Sequence, residues 1–415
     1  MSELNESLLS SLSELAAPLP NAGELTVTEL PAGLRSQFDD ATVIGLGEAS
    51  HGTQEFFDLR FRLIRLLVEE FRVRAVGFEA PFDPLHRVDE LVAAGEGDIR
   101  SLVAEIDIYR PFKTETMVDL FKWLQSFNVS RPPEDRVHVY GFDTTIIEAA
   151  ANEIEPYLDR VGADVDASLR EDLDIMTAGY GTDDERQALL ESTRRVHSTL
   201  APMVDANESA WVEATSRQAY EYVRHRLHLV EVQLEAHERD REGRAALRDE
   251  MMAENVEWIH DRSAGPVVLW GHNGHIARGR RVIDEWDVDV LPMGEWLADS
   301  YGERYCPVGL ELGGGEVAAL DGETGDVAEY PIPEPPSGSI PAVFRQVEEP
   351  VFSLSIDDLY DDSSTREWLR AKPRRHDIWG GTPDGDNPVK YNCRDLDGFD
   401  WVFFVRETSP LVHLD

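Results

Sequence analysis

Positive charge is what this chain lacks most. Among its 415 residues, 39 lysines and arginines face 81 aspartates and glutamates, and four of the cations are lysine (Lys113, Lys122, Lys372, Lys390). A phosphate backbone needs a positive footprint, so nucleic acid is excluded as an expected partner. The formal charge of −42 is spread along the chain instead of collecting in a tail. Self-repulsion on that scale is screened over roughly 3 Å near 1 M ions, which points to a halophilic, salt-rich cytoplasm. Cysteine is scarce as well. Cys306 and Cys393 make no disulfide framework and no Cys-based zinc spacing, and read as free thiols in a reducing cytosol. No apolar run approaches the ~18 residues of a membrane span. The acidic start, Met1 to Ser7, has no basic, apolar signal sequence. The expectation is a soluble, acidic, cytoplasmic protein with no membrane partner.

What is present is an alternation of strand and helix signals. An amphipathic helix through Leu8, Leu12 and Leu15 leads to a buried-strand candidate at 41–47. A helix at 55–71 and a second strand at 73–78 follow. A helix at 114–127 and a third strand at 136–142 complete the first part. Strands alternating with helices of this length predict βαβ units and a parallel sheet. From 146 to 261 strand signals vanish and long Glu-, Arg-, Ala- and Leu-rich helices take over, the clearest at 207–234. Such a block reads as an inserted helical subdomain. The sheet resumes at 266–271, with a helix at 293–300, a strand at 307–312, a loop or short-β excursion over 313–350, and late strands at 351–356 and 401–405. The expected fold is α/β, a mainly parallel sheet flanked by helices with an all-helical insertion. Its parts are 1–145, 146–261 and 262–415.

Chemistry collects where these strands end. The first runs into Gly47-Glu48-Ala49-Ser50-His51-Gly52, the second into Glu79, the third into Asp143, and the fourth into His272-Asn273-Gly274-His275. In a parallel sheet such ends share one edge, where ligands bind. A carboxylate three residues before a histidine can orient the ring and keep it basic near neutral pH, as activation of water requires. Flanking Gly47 and Gly52 are expected to permit tight turns. Arg60 falls on the apolar helix stripe of Phe56, Leu63, Leu67 and Phe71. A charge there needs a partner, Glu48 or Glu79. The paired histidines His272 and His275 can bind metal, exchange protons or hold a substrate oxygen. Gly-x-Ser-x-Gly is missed at Ser50 because Glu48 occupies its first glycine, so no nucleophile elbow is expected. Dinucleotide and Walker A fingerprints are absent. A metal hydrolase using His51, Glu79, His272 and His275, or a non-catalytic metal- or haem-binding protein, are the alternative readings of the same cluster.

Taken together, the Gly47–Gly52 motif, Arg60, Glu79, the Arg248-Asp249-Glu250-Met251-Met252-Ala253-Glu254-Asn255 helix and Leu269–His275 resemble the erythromycin esterase family from about residue 40 onward. Some members of that family carry the label succinoglycan biosynthesis protein. The resemblance implies an α/β core with a helical insertion. It also implies hydrolysis of a small-molecule ester or macrolide-like lactone, with a role in the response to antibiotics, and no cofactor or obligatory metal. By position, His51 would be the general base, and Glu48, Arg60, Glu79 and His272 would complete the site with His275 beside them.

Overall fold

The computed structural model describes the chain apart from residues 1–2, 21–22, 24, 107, 109, 284–287, 322, 379–380, 383–387, 393–395 and 415. Cys393 therefore lies outside the described residues, while Cys306 is a buried free thiol. One eight-stranded sheet organises the fold. Its strands are β1 (Ala17–Pro18), β2 (Val43–Leu46), β3 (Ala75–Pro81), β4 (His138–Asp143), β5 (Val267–Trp270), β6 (Tyr305–Leu312), β7 (Val351–Ser355) and β8 (Trp401–Val405). Their spatial order is β1-β7-β8-β6-β2-β5-β3-β4. The six strands from β8 to β4 run parallel, and β7 and β1 add antiparallel at one edge.

Both faces are covered, which is why the strands read as near-continuous apolar runs. In β5, Val268 and Trp270 belong to the core on one face, while Val267 and Leu269 belong to the core on the other. In β8, Trp401, Phe403 and Val405 alternate in the same way with Val402 and Phe404. Helix α1 (Gln54–Glu70) packs on the first face through Phe56, Leu63, Ile64 and Leu67.

Between β4 and β5 come α3 (Ile147–Arg160), α4 (Ala167–Ala178), α5 (Asp183–Ala206), α6 (Arg217–Glu238) and α7 (Arg241–His260). The first four share a separate core that includes Ile154, Leu173, Val196, Leu200, Val223 and Val230. Helix α7 instead packs Leu247, Met251, Met252 and Val256 onto the sheet's second face. The helix expected over 207–234 is broken: one segment ends at Ala214, Thr215 leaves helical geometry, and Ser216 caps α6 by accepting from the Ala219 amide. A helix that the sequence reading missed, α2 (Phe82–Ala94), follows β3 directly. Pro81 and Pro84 hid it, yet proline is tolerated in a first turn whose amides have no helical acceptor. The 313–350 excursion contains a hairpin of Glu316–Asp321 and Val327–Pro331.

At the seam between the helical unit and the sheet core, Arg226 of α6 binds Asp83 of α2 at 2.5 Å and donates to His86 Nδ1 at 3.0 Å. His225 stacks on Trp258 at 4.4 Å. Burial, helped by the Arg226 charge, holds His86 down to about 4. Burial also holds His225 at about 3, and burial beside Arg375 holds His376 at about 3. Each gains a proton only on unfolding, so the unfolded chain binds more protons below its ordinary range near 6.5. Stability should be full above that pH and fall as pH drops through 4, by roughly 3 kcal/mol for His86 and roughly 5 kcal/mol for His225 or His376 over the full shift. Denaturant midpoints at constant salt between pH 7.5 and 4.5 measure this; a flat profile would contradict it.

Candidate active site

The carboxyl ends of β2, β5, β3 and β4 lie side by side in the sheet, so the four polar strand ends converge as expected. Side chains alternate along a strand, and Glu48 continues the parity of Ile44 and Leu46 toward the face where α1 packs. There it is wholly buried beside Arg60, which is also wholly buried. Arg60 Nη2 pairs with Glu48 Oε2, Nε donates to the Phe56 carbonyl at 3.3 Å, and the guanidinium lies 3.9 Å from the Trp270 ring centroid. This is an internal ion pair with a cation–π floor, which rules out a snorkelling arginine at the helix edge. Burial pulls Arg60 down to about 10, against the pull of Glu48.

The second oxygen of Glu48 holds His51. Nδ1 donates to Oε1 at 2.6 Å, and the His51 side chain keeps 12% exposure while Glu48 has none. That bond places the ring proton on Nδ1 and the basic lone pair on Nε2. Burial depresses the imidazolium, but the charge and hydrogen bond of Glu48, with Glu79 behind them, raise its pKa overall. Gly47 and Gly52 serve a different purpose from the one expected. Neither adopts a left-handed φ; both are needed for close approach. A Cβ on Gly52 would strike the Ala318 carbonyl, and one on Gly47 would strike Asn273 Oδ1.

Glu79 lies near the end of β3, beneath the fourth motif. Its Oε2 accepts the His272 amide at 2.7 Å and its Oε1 accepts from Arg248 at 3.1 Å. Burial would raise this carboxyl, but His275, His51 and Arg248 outweigh it and hold it far below the usual carboxylate range. His272 and His275 look alike in sequence and differ in surroundings. His272 Nδ1 accepts the Gly274 amide at 3.1 Å, which assigns its proton to Nε2, and its ring centroid lies 5.2 Å from that of His51. His275 Nδ1 donates to Asp249 at 2.5 Å, and its Nε2 faces Arg248 at 3.2 Å and Arg281 at 3.0 Å. His275 is thus boxed in on both nitrogens.

Three residues of α7 that the site reading left out support this edge. Arg248 binds Asp143 at 2.9 and 2.7 Å, Asp249 holds His275, and Asn255 donates to the carbonyls of Phe142 and Asp143 at 2.9 and 3.2 Å. Their signal was the one that exposed Arg60, polar residues interleaved with a buried stripe, here Leu247, Met251, Met252 and Val256. Among the described residues, no three His, Cys, Asp or Glu side chains converge as metal ligands, and no helix is long and apolar enough to cross a membrane.

Fold and site define an α/β protein with a histidine–carboxylate–arginine centre at the carboxyl edge of a mainly parallel sheet. The family model described as erythromycin esterase matches residues 68–408. The chain belongs to the erythromycin esterase family, a family of esterase-type hydrolases. The matched span opens after Glu48, His51 and Arg60, so their place in the site rests on the geometry above. Among curated relatives, YbfO of Bacillus subtilis (strain 168) is 23% identical over 365 residues, 81% of this chain and 79% of its own length. Erythromycin esterase type II of Escherichia coli is 23% identical over 342 residues, 74% of this chain and 78% of its own. The crystal structure of a succinoglycan biosynthesis protein shares the fold over 100% of both chains, with a TM-score of 0.79 at 20% identity.

Proposed function

We propose that this chain is a non-serine carboxylic ester hydrolase, cleaving an ester or macrolide-like lactone with water activated by His51. The observation that carries the reading is the His51–Glu48 hydrogen bond, because it leaves Nε2 as the proton acceptor and stabilises the imidazolium that forms. His51 takes a proton from water, and the hydroxide adds to the substrate carbonyl. His272, with its proton on Nε2, donates to the developing oxyanion, a role worth roughly 3–4 kcal/mol per donor. The tetrahedral intermediate then collapses, and the His51 imidazolium returns its proton to the leaving alkoxide, giving a carboxylic acid and an alcohol. Arg60 is wholly buried against Trp270 and acts by holding Glu48. His275 and Arg248 hold Glu79 and the edge of β4. The charge of −42 supports work in a salty cytoplasm, and a family role in the response to antibiotics remains part of the proposal.

A panel of aryl esters, lactones and macrolides assayed in ~1 M KCl, where self-repulsion is screened, tests this. Since His51 must be neutral to act and its pKa is raised, log kcat/KM should climb with unit slope on the acid side. It should level off only above the ordinary histidine value of 6.5. Absence of turnover across the panel, or a plateau already reached at pH 6, would sink the mechanism.

A further inference from the structure

Another buried ion pair lies one strand away from the site, and the mechanism above does not use it. Glu311 near the end of β6 is wholly buried, and Arg375 keeps 2% exposure. They meet at 2.9 Å, with the Arg375 guanidinium 5.0 Å from the Phe399 ring centroid. A carboxylate inside the run Val308-Gly309-Leu310-Glu311-Leu312 needs such a partner for the reason that Glu48 needs Arg60.

Two chains of contacts lead from this pair to the turn that carries Glu48 and His51. On one side stands Asn273, whose side-chain amide imitates a strand rung: Nδ2 donates to the Leu310 carbonyl at 2.8 Å, and Oδ1 accepts the Leu310 amide at 3.2 Å. The same Nδ2 reaches Glu311 Oε1 at 3.4 Å, and the Asn273 backbone amide donates to the Glu48 carbonyl at 2.8 Å. On the other side runs the short strand Arg375–Ile378. Its Ile378 amide donates to the Ala49 carbonyl at 3.2 Å, and the Arg374 carbonyl before it accepts the Ile340 amide at 2.8 Å. The peptide groups of Glu48 and Ala49 are thus gripped from both flanks, and the Glu311–Arg375 pair ties the two grips together.

We propose that Glu311, Arg375 and Asn273 are positioning residues for the general base, fixing the backbone of the Glu48–His51 turn so that the carboxylate meets the imidazole. The proposal rests on the reading of His51 as that base. It assigns no contact with substrate to any of the three.

The test is the double variant E311Q/R375M, which removes both charges at once and leaves neither buried alone, compared with R375K, which keeps the pair. The readout is the His51 imidazole titration followed by NMR on the histidine-labelled full chain in KCl. Glu48, Glu79 and Arg60 are the charges that act on that ring, and His272 is its ring neighbour. In the double variant the His51 pKa should fall, by on the order of one unit. Ester kcat should drop about tenfold with KM unchanged, and R375K should restore part of both. A double variant that melts cooperatively with the His51 titration and pH–rate curve of the wild type would overturn the proposal. Should it not fold, hydrogen exchange on the wild type decides. The Asn273 and Ile378 amides should exchange together and as slowly as those of β2; an Ile378 amide exchanging independently and fast would overturn it. The titration needs no substrate, so a shifted His51 with no hydrolysis of any ester sinks the functional reading and leaves the positioning one standing.

Discussion

His51→Ala should lower ester kcat by about 10²–10⁴-fold, the range that a positioned general base contributes, and should leave the fold standing. The side chain sits at the partly exposed mouth of the site, and Glu48 keeps its buried partner Arg60 when the imidazole is gone. Removing a base that acts in the transition state lowers kcat and kcat/KM together and leaves substrate binding nearly alone. Steady-state kinetics beside a thermal melt in KCl separate this from unfolding. A variant with a native melt and more than a tenth of the wild-type kcat would end the case for His51.

Arg60→Met should be the most damaging change to stability. It leaves a fully buried Glu48 carboxylate without its cation, and breaking a buried pair from one side costs about 3–5 kcal/mol. Met fills much of the volume over Trp270, so the loss is electrostatic more than steric. The companion variant E48Q/R60M removes both charges and should recover most of that stability. It should not recover activity, because a neutral amide in place of the Glu48 carboxylate offers no charge to hold His51 basic. Denaturant unfolding of the two variants measures the difference. A single variant within 1 kcal/mol of wild type, a small change on the scale of buried pairs, would mean that the pair is not isolated from water as described. The contrast with His51→Ala is informative, since one change should spare the fold and the other should not.

Arg60 also shows why part of the site was legible. An arginine at the register of Phe56, Leu63 and Leu67 must be buried once the helix packs, and burial obliges a carboxylate nearby. Glu48 and Glu79 were the two candidates, and strand parity chose Glu48. Asp249 and Asn255 carried the same signal among the apolar residues of α7. They went unread as site residues because the segment around them looked like part of a separate helical block, whereas α7 packs on the sheet. Glu311 within its apolar strand announced a missing cation, but nothing local named Arg375, which arrives from a later strand.

Periodicity, strand-end chemistry and charge composition thus determined the sheet, the edge where the polar groups gather, and the need of each buried charge for a partner. These follow from local patterns, because side-chain alternation and the cost of burying charge act on short stretches of chain. Which partner each charge found, and which of two similar histidines keeps a proton on the nitrogen that can donate, only the tertiary structure decided. His272 has its Nδ1 taken by the Gly274 amide, while His275 is enclosed by Asp249, Arg248 and Arg281. The His272 bond is local to its own turn, but His275 is enclosed only by residues that become its neighbours when α7 and the Arg281 segment close over the end of the sheet.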